Sequence, residues 1–135
     1  MLIARMEDLA DQWVEGRPEL RWRSTLGTTP EDGARASSTS LLEVDPGCAL
    51  PRHTDSAEEQ VVVVAGEAEV EVDGETGRVE AGGVALVPKD VPHQVRSVGS
   101  EPLRFVAVYA DVDVVPTYEE EVQPSGERET QTVGG

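Results

Sequence analysis

The chain holds two histidines, His53 and His93, and each stands beside residues that could share its chemistry. His53 is followed two positions on by Asp55, so in an extended strand both side chains point to one face. Glu59 opens a run of valines and shares a strand face with Val61 and Val63. If that run pairs antiparallel with the His53 segment, one imidazole and two carboxylates converge inside a barrel. His93 then enters from a later strand. Nitrogen and oxygen donors facing one another in an apolar shell suit a first-row divalent cation. Without a cation or another partner, burying two carboxylates together is costly. A plainer reading stands beside this one: His53 and His93 as pocket residues satisfied by Asp55 and Glu59, with no metal.

Other reactive side chains point to packing. Cys48 follows a turn glycine and differs in strand parity from His53, which suits a small buried or edge residue better than a nucleophile. One cysteine excludes an internal disulfide framework and a multi-cysteine zinc site. Trp13 and Trp22 read as core or interface residues rather than pocket walls. Arg23 and Arg104 read as solvent-facing or salt-bridged. Tyr109 shares parity with Phe105 and Ala107, which places those three on one sheet face. Five aromatic residues in all argue against an aromatic stacking cage.

The elements that must position these residues are mostly strands. Short runs rich in Val, Thr and Leu alternate with Gly, Pro and Asp clusters. Strands are predicted near Leu20–Leu26, Ala36–Val44, Glu59–Ala65, Ala68–Val72, Arg78–Ala81, Val84–Val87, His93–Ser97 and Leu103–Tyr109. Asp73-Gly74 suits a tight hairpin turn. Gly82-Gly83 and Pro46-Gly47 offer positive φ. One helix is predicted over Ala4–Val14, where Met6, Leu9 and Trp13 recur at helical spacing before Gly16 and Pro18. The chain thus divides into an N-terminal amphipathic segment over 1–19, a β-barrel over 20–115 and an acidic polar tail over 116–135. The tail, with Glu119-Glu120-Glu121, is expected to be loosely packed or disordered.

The two histidine segments resemble the motifs of a single-domain cupin. The first cupin motif sets Gly, His, a second His, Glu and Gly in order; Gly47, His53, Glu59 and Gly66 stand on those places, and Asp55 replaces the second His. The second sets Gly, Pro, Gly, His and Asn in order; Gly82, Pro88 and His93 match, while Asp90 and Ser97 depart. The spacing to Gly66 selects Glu59 over its neighbours Glu58 and Gln60. The resemblance covers roughly residues 36–110. It implies an all-β fold, a cupin-type double-stranded β-helix (jelly-roll) barrel, here with a short N-terminal helix.

The same resemblance implies that His53, Asp55, Glu59 and His93 hold a metal. Two histidines and two carboxylates leave a charge of about 0 on a divalent ion, against about +1 for three histidines and one carboxylate, by ligand charge counting. The added oxygen donors favour Fe²⁺ or Mn²⁺, with Ni²⁺ and Zn²⁺ also admitted. Alternatively His53, His93 and Glu59 form a two-His, one-carboxylate face and Asp55 is free as a general base. The catalytic candidates are therefore Asp55 and Glu59. The implied function is a metal-dependent enzyme acting on a small organic metabolite, first a non-haem-iron-type oxygenase. A metal-dependent cyclase or isomerase of natural-product biosynthesis comes next. A non-catalytic small-molecule-binding cupin, and more remotely a structural role, complete the range. The resemblance also suggests a homodimer.

Composition sets outer bounds. Over 135 residues, 27 acidic and 11 basic side chains leave a net charge of −16. That length suits one domain. The charge argues against nucleic-acid partners and against docking on an anionic membrane. No apolar run approaches the ~18 residues of a membrane-spanning helix, and the expectation is a cytoplasmic protein without a secretory signal.

Overall fold

In the computed structural model, residues 2–5, 11–16, 18–122 and 126–129 are described. They form twelve strands: β1 (Asp11–Glu15), β2 (Arg21–Leu26), β3 (Ser38–Val44), β4 (His53–Asp55), β5 (Glu59–Ala65), β6 (Glu67–Val72), β7 (Glu75–Glu80), β8 (Val84–Val87), β9 (His93–Ser97), β10 (Leu103–Tyr109), β11 (Pro116–Val122) and β12 (Glu127–Glu129). Every pairing among them is antiparallel. The first sheet runs β1-β2-β3-β10-β5-β8 and the second β12-β11-β4-β9-β6-β7. This is the expected all-β jelly roll, with the core between two sheets.

Alternation builds that core. In β10, Leu103, Phe105, Ala107 and Tyr109 are buried while the intervening residues are partly exposed. In β5, Glu59, Val61 and Val63 point inward. β3 sends Leu42 and Val44, and β9 sends Val95, into the same cluster. The β6–β7 hairpin closes on Asp73-Gly74, with φ of 50° and 85° and Val72 directly opposite Glu75. Positive φ at both positions is what a two-residue turn matched to strand twist requires.

Gly66 joins β5 to β6 at φ 77°, where an added Cβ would lie 2.6 Å from the Pro102 carbonyl oxygen and 2.8 Å from Leu103 Cα. Only glycine fits both the conformation and the space.

Three expectations are corrected. Among the described residues the short N-terminal helix is not seen: Asp11–Glu15 is a strand paired through all its residues with β2, and Leu2–Arg5 has no regular structure. Met6 and Leu9 lie outside the described residues. Pairing supplies β2 with a hydrogen-bonded neighbour and sets Trp13 beneath the Arg21 guanidinium, 3.9 Å from its ring centroid. Those tertiary gains outweigh a helical spacing that is only a weak prior. Second, β5 does not pair with the His53 segment. β4 lies between β11 and β9, and β5 belongs to the other sheet. Third, Pro116–Val122, expected as the start of a tail, is a strand. Pro116, Tyr118 and Val122 are buried, a period-two apolar pattern hidden in the sequence by the run of three glutamates between them.

Candidate metal centre

β4 is short, yet it sits in the middle of the second sheet and carries His53 and Asp55 on its inner face. His93 opens β9 and is the direct cross-strand partner of His53. The two imidazole centroids are 4.2 Å apart. His53, Asp55 and His93 are all buried, and one donor atom from each lies within 4.8 Å of the others.

The backbone sets both rings the same way. His53 Nδ1 donates to the Pro51 carbonyl at 2.7 Å, and His93 Nδ1 donates to the Val91 carbonyl at 3.0 Å. A carbonyl can only accept, so each Nδ1 carries a proton and Nε2 is the nitrogen that can offer a lone pair to a cation, at His93 after losing its own proton. Those Nε2 atoms face Asp55 Oδ2, at 3.7 Å from His53 and 3.2 Å from His93. Both Asp55 oxygens and His93 Nε2 are buried without a hydrogen-bond partner. Proximity without hydrogen-bond geometry among buried groups is expensive to leave unmet. A divalent cation accepting all three donors would satisfy it, so these residues fit a metal.

Glu59 arrives from the opposite sheet, where it pairs with Tyr109 of β10 and Val87 of β8. Its Oε1 lies 3.3 Å from His93 Nε2. The four predicted residues therefore meet, but unevenly. Asp55 stands with the two histidines, and Glu59 lies beside His93 and Asp55. Glu58 and Gln60 are exposed.

The charges divide by environment. Burial lowers the His53 imidazole to about 4, outweighing the pull of Asp55 in the other direction. Burial also disfavours a charged His93, but Asp55 and Glu59 beside it overcome that and raise it to about 10. Burial opposes an ionised Asp55, yet His53 and His93 hold it below its ordinary value. Burial, with Asp55 adding repulsion, lifts Glu59 to about 7. Tyr109 is pushed well above 10, by burial first and then by Glu59, Asp55 and Tyr118. Without a cation, His93 is thus the positive charge between two acids.

The remaining candidates fall elsewhere. Cys48 is half-buried and packs against the core outside the donor group. Arg23 and Arg104 meet Glu43 on the outer face, at 3.0 Å and 3.4 Å. Trp22 is buried in the core, as expected. Aromatic residues nevertheless reach the site, which the sequence reading did not foresee. Tyr118 lies 5.0 Å from the His53 ring and 5.5 Å from Trp22, centroid to centroid. The alternation of Val114, Pro116 and Tyr118 was the available signal for an inward strand there.

Comparison with known proteins agrees with this architecture. A family model described as Cupin domain matches residues 40–109. The polyketide synthase CurC of Streptomyces cyaneus is 37% identical over 83 residues, 61% of this chain and 54% of that protein. The chain thus spans about half the length of this curated relative. Among solved structures, oxalate decarboxylase of Lactobacillus farciminis in a formate complex superposes with a TM-score of 0.73 at 24% identity, over 84% of this chain and 34% of that one. Oxalate decarboxylase of Bacillus subtilis, described with Mn(II) centres, gives 0.66 at 23% identity, over 73% and 28%. At such identities the likeness shows a shared fold.

Proposed function

The chain belongs to the cupin domain family, and from that premise we propose that it is a metal-dependent enzyme acting on a small, carbonyl-bearing metabolite of polyketide type. The observation that carries the reading is the buried His53–Asp55–His93 group, whose donors lie together with both Asp55 oxygens and His93 Nε2 lacking hydrogen-bond partners. The substrate class takes its support from the likeness to CurC, named as a polyketide synthase. His53, Asp55 and His93 would hold Fe²⁺ or Mn²⁺, with Ni²⁺ and Zn²⁺ as accepted substitutes. When bound, the ion supplies Lewis-acid polarisation of a substrate oxygen.

The chain's own residues do the rest. Asp55 stays ionised and serves as a ligand. Glu59, lifted to about 7, exchanges a proton at Oε1 near neutral pH, as a general acid–base should. Proton transfer beside a polarised carbonyl gives cyclisation or isomerisation. A second reading, oxygenation of non-haem-iron type, is favoured by the ligand set of two imidazoles and one carboxylate.

Elemental analysis of wild type and Asp55→Ala is the first test: stoichiometric metal in the former and its loss in the latter are expected. A 1,3-diketone then separates the chemistries. Deuterium exchange at its central carbon without O₂ supports proton transfer. O₂ uptake matching diketone loss supports oxygenation instead. Absence of metal from wild type after reconstitution overturns both and leaves a binding module.

The same reading includes a homodimer in the cytoplasm. The outer face of β10, β5 and β8 carries Val106, Val62 and Val84 in one cross-strand row. Val64, Val84 and Leu86 there are exposed, an apolar patch of the kind that marks an interface. The Arg23–Glu43–Arg104 row of the same sheet holds both signs of charge, so a second copy complements it. No helix among the described residues is long and apolar enough to cross a membrane.

A further inference from the structure

We propose that Tyr118 is a positioning residue of the metal centre: its ring braces the His53 imidazole so that Nε2 faces Asp55 and His93. Strand β11 is then a working part of the site. The inference rests on the metal-centre reading above.

Register puts the three rings side by side. Tyr118 is directly opposite His53 across β11–β4, and His53 directly opposite His93 across β4–β9. Directly opposed side chains share a sheet face, here the buried inner one. Tyr118 and His53 centroids are 5.0 Å apart at 44°, and His53 and His93 are 4.2 Å apart at 52°. The His53 ring is therefore flanked on both sides. From β2 in the facing sheet, Trp22 backs Tyr118 at 5.5 Å and 46°. The ring contacts run from Trp22 in one sheet to Tyr118, His53 and His93 in the other.

His53 needs such a brace. Its Nδ1 bond to the Pro51 carbonyl selects the tautomer only while the ring is held in place to make it, and the outer torsion of histidine is soft. Its Nε2 is also the more distant imidazole nitrogen from Asp55 Oδ2, at 3.7 Å against 3.2 Å for His93. A flat ring is held by surfaces against its faces. Tyr118 and His93 are the rings packed beside that of His53, each tilted to it.

The strand that carries Tyr118 is itself pinned on both sides of it. Pro116 and Thr117 pair with Asp55 and Thr54. The Glu119 amide donates to the Arg52 carbonyl at 3.0 Å, and the Arg52 guanidinium meets the Glu119 carboxylate at 3.5 Å. Arg128 Nε of β12 donates to the Tyr118 carbonyl at 2.9 Å. The Tyr118 side chain meets His53 and Trp22 ring to ring, so the bracing role is assigned to the ring.

The test compares wild type with Tyr118→Phe, Tyr118→Leu and Tyr118→Ala. The Leu variant keeps most of the volume should the Ala variant fail to fold. Two histidines in the chain make imidazole ¹⁵N spectra directly assignable. In metal-free protein, wild type and Tyr118→Phe should show His53 as a single Nδ1–H tautomer. The Leu or Ala variant should show a tautomer mixture at His53 and an unchanged His93. Co²⁺ affinity, measured by chelator competition, should fall about ten- to hundredfold in the Leu or Ala variant and stay within about twofold in Tyr118→Phe. A single His53 tautomer with unchanged Co²⁺ affinity in the variants lacking the ring overturns the proposal. An equal loss in Tyr118→Phe overturns it too, by moving the effect to the hydroxyl. If wild type binds no Co²⁺, the metal-centre reading fails, and the metal-free spectra still decide the bracing.

Discussion

Asp55 and Glu59 are chemically alike and differ by environment. Both are buried carboxylates near His93. Asp55 sits against two imidazoles and is held ionised, while Glu59 is lifted to about 7 by its burial and by the charge of Asp55. Glu59→Gln should therefore retain metal but lower turnover of a carbonyl substrate by about 10²-fold or more, with little change in KM. Paired metal analysis and kinetics check this. Protons compete with the cation for His93 Nε2, whose imidazole is raised from 6.5 to about 10. Apparent metal affinity should thus rise about tenfold per pH unit through the neutral range, one proton leaving His93 per ion bound. Calorimetric titrations at several pH values read the slope. The linkage has the opposite sign in metal-free protein. The raised values of His93 and Glu59 stabilise the fold fully below 6.5 and 4.5, and that stability is lost as pH rises through about 10 and about 7. Added metal should protect most on the alkaline side, seen as a growing Tm difference with and without chelator.

At the scale of elements, the junctions decide whether the donors meet. Gly66 turns the chain from β5, which holds Glu59, into β6, which pairs with the strand of His93. Its positive φ and the 2.6 Å approach to Pro102 O admit no side chain. Gly66→Ala should destabilise the fold by about 2 kcal/mol or more, against about 1 kcal/mol for Gly74→Ala, where positive φ is the only demand because nothing lies near an added Cβ. Urea unfolding of the two variants gives the comparison. β11 shows how an element is missed from sequence. Its inward residues alternate, but three acidic residues in a row read as a solvated tail. β1 shows the converse, a helical spacing overruled by an available sheet edge.

The whole molecule combines a charge of −16 with an apolar outer sheet face. Two copies meeting on that face must overcome mutual repulsion, so raising the salt concentration should strengthen association. Sedimentation of wild type at low and high salt tests the sign. Val84→Asp combined with Leu86→Asp, which places charge in the patch without touching the inner face, should give a monomer with unchanged metal content.

The sequence by itself determined β2, β3 and the run from β5 to β10, the hairpin turn at Asp73-Gly74, the special glycines and the identity of the four polar residues that meet inside. Period-two alternation and turn chemistry are local, and they survive folding. Only the tertiary structure decided how those residues divide. Sequence spacing could not reveal that Glu59 faces β4 from another sheet rather than beside it, because strand parity fixes a face and not a neighbour. Nor could it place Tyr118 against His53, since that contact depends on β11 closing the sheet beside β4. Which carboxylate stays charged, and which titrates near neutral pH, follows from burial and from the charges nearby. Both are properties of the folded interior.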